Sequence, residues 1–218
     1  LPTLKRVLSA GAPVPVHVIE RMLAVLPDDG DIHTPYGATE SLPVASVSGR
    51  FVVDQTAMAS SQGAGTCVGQ PFPKVMVKII PITDGPIHSL ADVHELATNE
   101  IGEIIVQAPS TTREYYRRPE ATASAKITDG DRFWHRMGDV GYLDVDGILW
   151  FCGRKAHIVE TNNGRMFTVP CEAIFNQHPR VFRSALVGIG PRGNQTPVII
   201  IEPEKDQYPT NATERKQF

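Results

Sequence analysis

Between residues 67 and 153 the apolar residues come in short β-branched runs, and this texture restricts the fold more than any other feature of the chain. Val75 to Ile80, Glu103 to Val106, Val140 to Leu143 and Ile148 to Phe151 suit the pleated, half-buried surface of a sheet. Asp146-Gly147 separates the last two runs. Glycine supplies the positive φ that a type I′ turn requires, so this pair predicts a hairpin. The 18 glycines and 18 prolines add many turns and argue against a helical bundle.

The flanks read differently. Val16, Ile19, Leu23 and Leu26 recur at helical spacing, with Pro13 and Pro15 suited to the first turn and Pro27 to Gly30 as the stop. A loop of small polar residues containing YGATES (36–41) is expected next, and the Gly-rich stretch 59–66 reads as a linker. After residue 153 the pattern predicts a helix over 170–177. Two buried strands follow, at 185–188 and 198–201. The whole is a mixed α/β chain.

Bulk properties exclude several classes. A net charge of -3 gives no electrostatic case for nucleic acid. Arg113, Arg117 and Arg118 around Tyr115 and Tyr116 form a single basic patch on an acidic chain, which is weak support for it. No apolar run reaches the length of a transmembrane helix. Cys67, Cys152 and Cys171 are odd in number, far apart and without a CxxC pair, which fits a reducing, cytoplasmic setting. The histidines show no metal-ligand spacing. The chain starts without Met and ends in a charged tail, so it reads as a piece of a longer polypeptide.

Three short segments carry candidate chemistry. Tyr36-Gly37-Ala38-Thr39-Glu40 sets an aromatic face, a flexible glycine, a hydroxyl and a carboxylate in five residues. Tyr can stack on a base, Thr can donate to a phosphate, and Glu can hold Mg²⁺ beside phosphate oxygens. A surface loop with a half-buried Tyr explains the same residues. Asp139, just before a strand, has two oxygens for a ribose diol, although a turn Asp bonding its own backbone is the commoner role. Arg154 after a strand end suits a ribose or phosphate, or a solvated basic turn. The glycines at 63–69 follow no strand and no GxxxxGK[ST] occurs, so they are rejected as a phosphate loop.

The order of the segments decides between these readings. Ser9-Ala10-Gly11-Ala12-Pro13, YGATES, GEIIVQAPSTTREYYRRPEAT (102–122), WHRMGDVGYLDVDG (134–147), GRKAHIV (153–159) and Pro170-Cys171-Glu172 together resemble the superfamily of acyl- and aryl-CoA synthetases, luciferases and peptide-synthetase adenylation domains. The resemblance covers nearly the whole chain. It implies that Gly11, Ala12 and Pro13 lie along an adenine and that Tyr36, beside Gly37, stacks on it. Thr39 would contact phosphate, Glu40 would hold Mg²⁺, Asp139 would bind ribose, Arg154 would lie near it, and Ala156 would be the hinge. It also implies residues 1–64 as the end of a large α/β nucleotide-binding subdomain, 65–153 as a distorted β-barrel, and 154–218 as the start of a small mobile domain.

The implied reaction uses ATP. A carboxylate attacks its α-phosphorus, giving an acyl-adenylate and pyrophosphate, and a second nucleophile then captures the acyl group. The family's phosphate loop would lie upstream of this chain and its catalytic Lys downstream, so the chain alone is expected to be inactive and to bind ATP weakly. Met137, Ala156 and the loop VETNNGRMFTVP depart from many CoA ligases. With YGATESLPV and FCGRKAHIVE they look most like the olefin-biosynthesis branch, the β-lactone synthetases. There the substrate is a long-chain 3-hydroxy fatty acid, its own hydroxyl is the acceptor, and other olefin-pathway enzymes are implied partners. Coenzyme A as acceptor defines the alternative, a conventional fatty-acid–CoA ligase. A non-catalytic nucleotide-binding module is the alternative of a different class. Leu42 to Ala45 suit either an acyl chain or core packing.

Overall fold

The computed structural model describes residues 1–217. It opens with a β–α–β unit. Strand β1 (Arg6–Leu8) pairs in parallel with β2 (Asp31–Ala38), and helix α1 (Val16–Leu23) connects them. Pro15 caps α1 at φ -60 without a side-chain hydrogen bond, and Ile19 is its buried residue. The helix ends before Leu26, whose N–H turns back to the Leu23 carbonyl.

The expected YGATES loop is instead the end of a hairpin. β2 runs through Tyr36 to Ala38, Thr39 and Glu40 make the turn, and β3 (Ser41–Ser48) returns antiparallel. Val44 and Ala45 are fully buried in the core with Ile104, Val106 and Leu149. Core packing therefore accounts for both, while Leu42 is 52% exposed. The expected linker at 59–66 is partly helical: helical turns run from residue 49 to 62, with a π-turn at Val52–Thr56, and Gly63 at φ 92 breaks the stretch before the next strand. The π-turn shifts apolar residues off the helical repeat, which hid this element from periodicity.

The β-rich middle appears as foreseen. β4 (Thr66–Pro71), β5 (Met76–Ile80), β6 (Gly102–Gln107), β7 (Lys126–Asp129), β8 (Arg132–Leu143) and β9 (Leu149–Arg154) join β1 to β3 in a nine-stranded sheet of order β1-β2-β3-β4-β9-β8-β6-β5, with β7 on β8. The 146–147 hairpin is present, with a five-residue connection rather than a two-residue turn. Gly147 takes φ 71 and its N–H bonds the Asp144 carbonyl. The Asp144 carboxylate accepts from the backbone of Asp146 and Ile148 and from Trp150.

The expected barrel does not close among the described strands. Both edges of β4 are in use, one by β9 and the other by β3 at Ala45↔Pro71 and Ser46↔Gln70, so β5 cannot close onto β4. That seam needs a glycine. Gly69 sits at φ +88, and a Cβ there would lie 2.2 Å from the Ser46 carbonyl oxygen.

Beyond β9 the chain makes a short hairpin, β10 (Val159–Thr161) with β11 (Gly164–Met166). The helix Thr168–Phe175 and the antiparallel pair β12 (Val181–Ile189) and β13 (Thr196–Pro203) follow. The last two were expected to be buried. They are strands, but Phe182, Ile189 and Ile200 are more than half exposed. The helix Thr168–Phe175 packs against the pair, with Glu172 accepting from Ser184 and Leu186. The start of this segment is tied to the sheet by a buried ion cluster. Arg136 grips Glu103 with two bonds of 2.8 Å, and Lys155 reaches the same carboxylate at 2.8 Å.

Candidate active site

The geometry begins with the β8–β9 hairpin, whose register sets Asp139 opposite Arg154. Opposite charges on facing strand positions attract, and Arg154 Nη1 donates to Asp139 Oδ1 at 2.7 Å. The Asp139 side chain is 6% exposed and that of Arg154 55% exposed. The other Asp139 oxygen accepts from the Tyr36 hydroxyl at 2.8 Å, across 103 residues of sequence. Tyr36 reaches it from β2 and rests against Phe151 of β9, ring centroids 6.1 Å apart.

Burial dominates the acid–base properties here. It raises the Asp139 carboxyl above its ordinary range, and the Tyr36 and Arg154 hydrogen bonds pull it back only in part. Burial, and then the Asp139 charge, holds the Tyr36 phenol well above its ordinary value. Tyr36 therefore stays a neutral donor.

These residues line a cavity of about 720 Å³, a volume suited to a small-molecule ligand. Of the residues singled out in the sequence, Gly11, Ala12, Pro13, Tyr36, Gly37, Asp139 and Arg154 face it together. Thr39 and Glu40 do not. They lie at the hairpin tip, where Glu40 Oε1 accepts from the Tyr115 hydroxyl at 2.6 Å. That bond, first among several influences, keeps the Glu40 carboxyl below its ordinary value. Ala156 lies in the turn Lys155–His157, next to the cavity residue Arg154.

Sequence reasoning missed part of the wall. Phe151 and Gly153 face the cavity from β9, a pair that strand alternation after Trp150 would have revealed. Gly65 and Thr66 line it too, within the segment rejected as a phosphate loop. Thr168 and Glu172 come from beyond the expected hinge, and no local pattern marks them. Among the described residues no group of three or more His, Cys, Asp or Glu is placed to hold a metal. No described helix is long and apolar enough to cross a membrane. Cys67, Cys152 and Cys171 are free thiols.

The fold that carries this sheet and cavity is shared with solved structures of adenylating enzymes. The amide bond synthetase McbA from Marinactinospora thermotolerans matches 98% of this chain with 39% of its own, at a TM-score of 0.73 and 27% identity. The sequence pattern of the AMP-binding enzyme family matches residues 1–116, more than half of the chain, which therefore belongs to that family. Two curated relatives are named olefin beta-lactone synthetase. The one from Xanthomonas campestris pv. campestris is 51% identical over 207 residues and the one from Stenotrophomonas maltophilia 50%. In both cases the match covers 93% of this chain and 37% of the relative, so the chain spans little more than a third of their length.

Proposed function

We propose that this chain is the nucleoside-holding part of an AMP-forming enzyme that activates a long-chain 3-hydroxy fatty acid and closes it to a β-lactone in olefin biosynthesis. The observation that carries the reading is Asp139. Its buried carboxylate lies on the cavity wall with its two oxygens held by donors that a ribose diol can replace or join. In this reading Gly11, Ala12, Pro13 and Gly37 flank the adenine, Tyr36 stacks on it, and Arg154 screens the ribose end. Thr39 contacts phosphate from the turn.

Glu40 suits a magnesium ion. Mg²⁺ takes few carboxylates and completes its shell with water and phosphate oxygens, and the side-chain hydrogen bond that the Glu40 carboxylate accepts, from Tyr115, falls on Oε1. The ion would supply charge neutralisation on the phosphates.

The fatty carboxylate attacks the α-phosphorus of ATP and pyrophosphate leaves. The substrate's own 3-hydroxyl then attacks the acyl carbonyl, loses its proton, and AMP leaves as the ring closes. An internal hydroxyl has a high effective molarity, so no second substrate needs positioning. The likeness to two proteins named olefin beta-lactone synthetase supports this acceptor over coenzyme A. We assign residues 1–64 and 65–153 to the large domain and 154–218 to the start of a mobile one with its hinge at Ala156. The reaction is placed in the cytoplasm, and the enzyme that consumes the lactone is the natural partner.

The test incubates the polypeptide containing this chain, at its full natural length, with ATP, Mg²⁺ and a long-chain 3-hydroxy acid, with and without coenzyme A. Products are read by mass spectrometry and NMR. A β-lactone and AMP formed without coenzyme A is the expected result. An acyl-CoA formed only when coenzyme A is added refutes lactone closure and leaves a fatty-acid–CoA ligase.

A further inference from the structure

The basic, aromatic segment between β6 and the helix Pro119–Ala125 has no part in the cavity, yet it is fastened to the Glu40 turn at three points. The Thr112 N–H donates to the Glu40 carbonyl at 2.8 Å. The hydroxyls of Ser41 and Thr111 meet at 2.9 Å in a buried bond. The Tyr115 hydroxyl donates to Glu40 Oε1 at 2.6 Å, across 75 residues. The segment is itself braced: Thr111 Oγ1 accepts from the Ala108 N–H at 3.1 Å, the Tyr115 N–H donates to Thr122 Oγ1 at 3.0 Å, and Lys126 reaches the Thr112 carbonyl.

We propose that Tyr115 is a positioning residue that holds the Glu40 side chain in one rotamer, so that Oε2 is presented to the magnesium ion accompanying ATP. This rests on the adenylating role proposed above. A glutamate at a hairpin tip has three rotatable bonds and little packing to choose among their wells. Only the rotamers that aim an oxygen at the phosphates bind the ion, and the apparent affinity falls by the fraction of time spent elsewhere. The phenol removes that loss by fixing Oε1, with no second side chain donating to Oε2 among the described residues. The two backbone and hydroxyl bonds hold the segment itself to the turn, so the phenol approaches from a fixed base. The role of the segment is therefore to set the geometry of a carboxylate, not to bind a polyanion.

The test compares the wild-type full-length polypeptide with Tyr115→Phe and Glu40→Gln. ATP binding is measured by calorimetry at a series of Mg²⁺ concentrations, with AMP binding in the absence of metal and thermal melting measured alongside. Tyr115→Phe keeps the ring and removes only the hydroxyl. Its Mg²⁺ midpoint is expected to rise about fivefold to tenfold, with AMP affinity and melting unchanged, and Glu40→Gln is expected to shift at least as far. If Glu40→Gln shifts and Tyr115→Phe does not, the clamp is overturned and the adenylating site stands. If neither shifts, Glu40 is not the metal's ligand and both fall. A Tyr115→Phe variant that loses melting temperature and AMP affinity together shows a merely structural tyrosine and also overturns the proposal.

Discussion

Asp139→Asn separates what this carboxylate contributes to folding from what it contributes to binding. The substitution keeps the shape and removes the charge. Hydrogen bonds to a charged group are worth about 1.5–3 kcal/mol and those between neutral groups about 0.5–1.5 kcal/mol. Two ribose hydroxyls on the carboxylate therefore lose about 2–3 kcal/mol, or about 30- to 150-fold in AMP affinity at 1.4 kcal/mol per tenfold.

Stability moves the other way. Burial raises the Asp139 carboxyl above its ordinary value of 3.8, so the folded state holds this proton more tightly than the unfolded chain. Its contribution to stability is fully present below pH 3.8 and is lost as pH rises through the folded pKa. At neutral pH the ionised, desolvated carboxylate works against folding, and asparagine removes that cost. Arg154 is left without its partner but is more than half exposed, so water solvates it at little cost. Calorimetry with AMP and 2′-deoxy-AMP, together with apo melting curves at pH 7, provides the assay. The variant is expected to bind AMP weakly, to discriminate little against the deoxy analogue, and to melt no lower than wild type. AMP affinity within threefold of wild type, or a melting temperature well below it, refutes the reasoning.

Arg136→Met leaves Glu103, 1% exposed, with Lys155 as its remaining cation. Urea unfolding should show a loss of about 3–5 kcal/mol, as when one partner of a buried pair is removed. Gly69→Ala forces a positive φ on alanine and drives its methyl into the β3 backbone. Strain alone costs about 1–3 kcal/mol, and denaturant unfolding should show more than that because the β3–β4 seam must part. The 218-residue chain by itself should bind ATP with a Kd on the order of 1 mM or weaker, near -4 kcal/mol, since base stacking and two charged bonds must offset the freedom lost on binding. Micromolar binding by a verified 218-residue chain contradicts this.

The sequence by itself determined whatever depends on neighbours in the chain. The branched runs gave β5, β6, β8 and β9, and Asp146-Gly147 gave the hairpin between the last two. That hairpin brings Asp139 and Arg154 together only 15 residues apart. The order of the motifs then named the family. Locally encoded elements still failed where their period was disturbed, as in the π-turn of Val52–Thr56, or where composition misled, as with the YGATES turn read as a loop. What only the tertiary structure decided are the meetings between distant elements. The Tyr36 hydroxyl lies on Asp139 across 103 residues and the Tyr115 hydroxyl on Glu40 across 75, between elements that are not neighbours in the strand order. The barrel stays open because β4 has spent both edges, and Val44 and Ala45 belong to the core because β3 pairs with β4 and packs with residues of β6 and β9. Local patterning sets which face of a strand is apolar. It does not set which strand lies beside it, and the pairing of edges across long loops is settled only when the whole sheet is assembled.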